Sequence, residues 1–207
     1  MTEGPQFAAW GTVSAQFWIP EQLPYLSPVV RLHVPAGPVL PDAGPLDGTG
    51  QPPPPPEEYR ERVDAITATF APPHDRRRLA WAAVQAENLD QEATATYGQA
   101  HTHTISIREM RGWIAGLQGE PEVATHWDLH VVRLQATVWG IRHPVTLAGA
   151  RRAVQHWMEI ADPAARLALS KQLLSMLTEV TGDASSVSRH VRKLVRKAEA
   201  AVTPVPL

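Results

Sequence analysis

From residue 57 onward, apolar side chains recur every three or four positions, the period of an amphipathic helix. Tyr59, Val63, Ile66 and Phe70 form the first stripe, and Pro72-Pro73 stops it. Asp75 is placed to cap a second helix carrying Leu79, Ala82, Ala86, Leu89, Ala93 and Tyr97, with Gly98 at its end. The alanines on that stripe predict a close approach to a neighbouring helix.

Ser106-Ile107-Arg108-Glu109 has the form of a capping box, flanked by Ile105 and Met110 at the staple positions. It predicts the start of a third helix, with Met110, Trp113, Ile114 and Leu117 inward and Gly119 closing it. Pro121 suits the first turn of a fourth, whose stripe is Trp127, Val131, Leu134 and Val138 and whose end is Gly140. Thr146 reads as the cap of a fifth, carrying Leu147, Ala150, Val154 and Trp157. Asp162-Pro163 opens a sixth with Leu167, Leu173, Leu174, Leu177 and Val180, ending at Gly182. The last helix starts near Asp183 or Ser185 and runs to about Ala201. No internal sequence repeat is apparent, and short connections favour antiparallel neighbours. The fold class predicted is mainly α: a compact, bundle-like domain of about seven helices rather than a solenoid.

The first part of the chain follows another grammar. Fifteen of the 20 prolines lie within residues 1–73, and Pro52 to Pro56 form an unbroken run. Proline lacks an N–H and pushes its predecessor towards extended backbone, so residues 20–56 form neither a long helix nor a central strand. The run itself predicts a short polyproline II rod, preceded by a Gly-rich turn over residues 43–50. Residues 12–19 and 29–34 are β-rich enough for two short strands, held against the helical body by Trp10, Phe17 and Trp18. The division expected is a Pro/Gly-rich segment or arm over 1–56 and a helical domain over 57–207. A proline-rich ligand for another domain is the alternative use of the arm.

Composition narrows the chemistry. Apolar residues at 43% support a real core, and the net charge of −2 excludes a polycation that coats nucleic acid as a whole. No cysteine is present, which removes disulfides, thiolate nucleophiles and thiolate-held metals together. The first residues lack the basic and apolar regions of a secretory signal, and no run of 18 apolar residues occurs. A cytoplasmic protein without integral membrane association is the expectation. Phosphate-binding loops, a nucleophile elbow and a dinucleotide fingerprint are all missing.

The terminal helix stands apart. Val187, Val191, Leu194, Val195 and Ala198 cluster on one side, and Arg189, Arg192, Lys193 and Arg196 on the other, with Lys197 at the edge. Between Asp183 and Glu199 five cations face two acids. An arginine-rich face suits phosphate oxygens and guanine edges, so nucleic acid is the leading partner, ahead of an acidic protein surface. The plain alternative is a solvated face whose cations complement the helix dipole. A helix-turn-helix over 122–139 and 146–160 is the second nucleic-acid candidate, but six connecting residues favour a simple helical hairpin.

Nine histidines are many for 207 residues. His126 and His130 stand one helical turn apart, a spacing that chelates a divalent metal such as zinc if a third ligand comes from elsewhere. His101 or His103, placed in a loop, is the candidate third ligand. No general base is marked as in a His-Glu-x-x-His helix, and boundary histidines beside Trp127 and Val131 are the structural alternative. The preferred function is therefore a non-enzymatic helical binding protein without a cofactor. Its rivals are an assembly or adaptor protein, as in a phage particle, that forms homo-oligomers through its arm, and a histidine–metal bundle enzyme.

Overall fold

Within the computed structural model, residues 7–8, 12–13 and 52–202 are described. Phe7–Ala8 (β1) and Thr12–Val13 (β2) pair antiparallel. The remaining expectations for residues 14–51, including the strand at 29–34, lie outside the described residues. Seven helices follow: α1 Glu57–Thr67, α2 Arg76–Tyr97, α3 Thr102–Gln118, α4 Pro121–Trp139, α5 Pro144–Glu159, α6 Pro163–Thr181 and α7 Ser186–Val202. They form a compact all-α domain in which each helix packs chiefly on its neighbours in the chain, with α4 also meeting α6.

Several sequence signals act as expected. The Asp75 carboxylate accepts from the N–H groups of Arg77 and Arg78, and Asp162 does the same for Ala164 and Ala165. Gly119 takes the left-handed conformation that closes α3, with φ 78° and ψ 29°.

Two starts are corrected. Ser106-Glu109 is not a helix cap, and of His101-Thr-His103 only His101 lies in the connection, with Thr102 and His103 in the first turn of α3. The third helix begins at Thr102, and His101 Nδ1 accepts the N–H of His103 at 3.2 Å. Ser106 and Glu109 lie inside that helix and are buried. Likewise α5 begins at Pro144, where His143 Nδ1 accepts the N–H of Val145 at 3.3 Å. Thr146 sits one turn in.

The reason is a joint that the chain uses three times. Gly98, Gly140 and Gly182 stand 42 residues apart (140 − 98 = 182 − 140 = 42). Each ends a helix at φ 86, 95 and 87° and ψ 168, 155 and 150°, backbone that is essentially reserved for glycine. Six residues beyond each glycine a buried hydroxyl turns back. Thr104, Thr146 and Ser188 donate to the carbonyls of Gly98, Gly140 and Gly182 at 2.8, 3.0 and 3.0 Å. These hydroxyls brace the turn, and capping falls to the residue three after each glycine: His101, His143 and Ser185.

Helices α3, α5 and α7 start at 102, 144 and 186, in the same register. A structural repeat is thus present although no sequence repeat is apparent. The domain contains three helical hairpins, α2–α3, α4–α5 and α6–α7, with α1 packed on the first. What repeats is the joint and the burial pattern: Leu89, Val131 and Leu173 share one position, and Ala93, Gln135 and Leu177 another. Side-chain identity mostly does not repeat, which hides the period.

Two large apolar clusters result, with a smaller one of Ile105, Val131 and Val138 between α3 and α4. Tyr59, Ile66, Leu89, Met110 and Ile114 unite α1 to α3, and Val132, Trp157, Leu173, Leu177 and Val191 unite α4 to α7. Gly149 admits Val132 and Gln135 against α5, since a Cβ there would stand 2.6 Å from Gln135 Oε1.

The joint is open to test. No atom stands within 4 Å of a Cβ added at Gly140, so Gly140→Ala adds backbone strain without a clash. The expected loss is about 1–3 kcal/mol, read as a lower thermal unfolding midpoint with unchanged helical circular dichroism.

Candidate functional site

Between the two large apolar clusters, α3, α4 and α5 share a polar seam. Arg152 of α5 bridges Glu109 of α3 and Asp128 of α4, at 2.7 Å to each. His156, one turn along α5, holds the other Asp128 oxygen through Nδ1 at 2.7 Å. All four residues are buried, and Asp128 is 0% exposed. Burial pushes the Glu109 carboxyl up, and the charge of Arg152 partly offsets it. Burial also works against the Arg152 charge, but the two carboxylates outweigh it and hold the guanidinium above its ordinary value.

Glycines make this seam. A Cβ at Gly116 would stand 2.7 Å from His156 Nε2, and one at Gly112 3.4 Å from Asp128 Oδ1. Helices α3, α4 and α5 thus approach closely enough for short ionic contacts. The sequence pattern gives Glu109 only a capping role and does not mark Asp128, Arg152 or His156. Mid-helix glycines next to charged residues on an otherwise apolar face were the available signal.

A second network is half open. Asp90 of α2 accepts from Arg108 Nε at 2.9 Å and Arg111 Nη1 at 2.7 Å, and Arg108 also reaches Thr94 Oγ1. Arg108 Nη1 stands 3.0 Å from His130 Nε2. A guanidinium offers only N–H groups, so His130 accepts there. Burial lowers the His130 pKa, and Arg108 and Arg133 lower it further. Above these pairs lies a groove of about 350 Å³ lined by Asp90, Gln99, Arg108, His126, Trp127 and His130. Arg111 covers the Trp127 ring at 4.1 Å.

The four imidazoles considered as metal ligands fall into two places. His126 and His130 edge the groove on α4. His101 stacks on Tyr97, and His103 meets the same ring edge-on. Burial, then the nearby His101, lowers the His103 pKa to about 4. No group of three or more His, Asp or Glu side chains set to hold a metal forms among the described residues. His101 Nδ1 and His130 Nε2 are already used by the fold.

On α7 the amphipathic division is clear. Val191, Val195 and Ala198 are buried, and Val187 and Leu194 pack beside them. On the cationic side Arg189 Nη1 donates to the Ala184 carbonyl at 2.8 Å. Arg192 donates to the Asp183 carbonyl at 2.9 Å and pairs with the Asp183 carboxylate. Lys193, Arg196 and Lys197 are exposed and form no ion pair with a described residue. No helix among the described residues is long and apolar enough to cross a membrane.

No protein-family model, curated protein or solved structure matches this chain.

The seam carries a stability consequence. Arg152→Ala leaves two buried carboxylates facing each other, with an expected loss of about 3–5 kcal/mol in chemical denaturation. Arg62→Ala removes only the partly exposed pair with Glu92 and is expected to cost under about 1 kcal/mol.

Proposed function

We propose that this chain is a non-enzymatic binding protein, an adaptor whose helical hairpins present a surface to a protein partner. The observation that carries this reading is the groove between α2, α3 and α4. There Trp127 lies half-buried with Arg111 stacked over it, and exposed Gln99 and His126 stand at the rim. Repeated hairpins bury their inner faces on one another and leave a continuous outer surface for partners. An aromatic ring pinned by a cation in a shallow hollow is the kind of anchor that dominates binding energy. Beneath it Asp90 and Arg108 are spent on each other, so the groove offers shape, a ring and hydrogen-bonding edges.

Selection of short peptides on the full chain is expected to yield ligands that lose at least about tenfold in affinity with Trp127→Ala. The same ligands are expected to bind Trp81→Ala unchanged, since that exposed tryptophan lies outside the groove. An empty selection, or binding indifferent to Trp127, overturns the reading.

Lys193, Arg196 and Lys197 favour a second reading, nucleic acid held by α7. Three phosphate contacts give a salt slope of about 2.7 in log affinity against log salt. Retention on immobilised duplex DNA would lose that slope when the three become alanine. Retention that ignores the substitutions removes this reading and leaves the adaptor reading untouched.

A further inference from the structure

The 42-residue register assigns each position of α7 a counterpart on α3 and α5, and the counterparts differ in one systematic way. Gly112, Val154 and Arg196 share a position, as do Ala115, Trp157 and Glu199. On α3 and α5 these positions receive the next hairpin. A Cβ at Gly112 would stand 3.2 Å from Trp127 Cβ of α4. Val154 lies in one cluster with Leu169 and Leu173 of α6, and the Trp157 indole N–H donates to the Arg166 carbonyl of α6 at 2.9 Å. Ala115 and Trp157 are buried, at 3% and 0% exposure, whereas Arg196 and Glu199 are exposed. The neighbouring position runs Trp113, Gln155, Lys197 and likewise passes from buried to exposed.

The opposite side of α7 does not change character. Ile107, Gly149 and Val191 are all buried, as are Ile114, His156 and Ala198. On the side that would carry a successor, the positions of Arg196, Lys197 and Glu199 have become charged.

We propose that the outer face of α7 is the polar end-cap of the hairpin array. It closes the surface on which α3 and α5 dock the next hairpin, against both a further hairpin and a second copy of this chain. An apolar stacking face left open associates with other stacking faces, and arrays of this type require a polar terminal element to stay in solution. Lys193, Arg196 and Lys197 also repel their own images across a two-fold contact. This assignment rests on the side chains of α7, not on where the chain ends, and it does not depend on the adaptor reading.

The test grafts the α5 face onto α7 in the full chain: Arg196→Val, Lys197→Gln and Glu199→Trp. Light scattering coupled to gel filtration should show a mass that rises with concentration beyond that of the parent. A grafted protein with the parent's helical signal and the parent's mass at every concentration overturns the proposal. A second variant keeps the test decisive if the graft fails to fold. Lys193→Glu, Arg196→Glu and Lys197→Glu keeps the face hydrated while reversing its charge. The end-cap requires unchanged mass and an unfolding midpoint within a few °C of the parent; a changed mass or lost helical signal overturns it. Because this variant removes Lys193, Arg196 and Lys197, it also removes the salt slope assigned to them without altering mass, which separates the cap from the nucleic-acid reading.

Discussion

The hydroxyl-to-carbonyl bond across each glycine joint is the constraint from which the rest of this structure follows. A helix must stop within one residue and the next must start four residues after the glycine. Glycine supplies backbone that other residues reach only under strain, and the buried hydroxyl six residues on ties the freed carbonyl to the following helix. Because Thr104, Thr146 and Ser188 are each fully buried, the bond forms in a dry environment where an unmade partner is costly. Three copies of the joint set three hairpins, α2 to α7, in one register.

Within this frame the polar seam does a different job. Glu109, Asp128, Arg152 and His156 come from three helices and two hairpins, and they meet where the two apolar clusters abut. Apolar contacts there would tolerate sliding of α3 along α5, whereas a guanidinium shared by two carboxylates has one good position. Desolvation makes such a group a poor source of net stability, so its contribution lies in fixing the hairpin register. Gly116 serves the same end, since a methyl group there would stand 2.7 Å from His156 Nε2, and Gly112 leaves little more room against Trp127.

Helix existence and inward faces were legible in the chain, because burial periodicity is local. Tyr59, Val63 and Ile66, Leu89 and Ala93, and Leu173 and Leu177 are read from spacing alone and are all buried. Helix starts were legible only where a cap acts within its own turn, as at Asp75 and Asp162. Ser106-Glu109 misled because a capping box in sequence is also a serine and a glutamate one turn apart inside a helix. Which of the two forms depends on whether the previous turn is helical, and that was settled by Thr104 bonding to Gly98 and by Arg152 drawing Glu109 inward. The candidate site was less legible still: Trp127 and His130 stood out, but Asp90, Arg108 and Arg111 meet them only across helices.

By itself the sequence determined that seven amphipathic segments would form, where most of them would turn, and that one face of the last would be cationic. Those properties depend on residues within about one helical turn, and that is the range over which spacing and capping act. The tertiary structure alone decided that the hairpins repeat, that the charges of α3, α4 and α5 share one buried seam, and that the cationic face of α7 matches the stacking faces of α3 and α5. Each of those depends on residues tens of positions apart meeting at contact distance. The equivalence of Gly112, Val154 and Arg196 has no trace in their side chains and becomes visible only when the helices that carry them are in place.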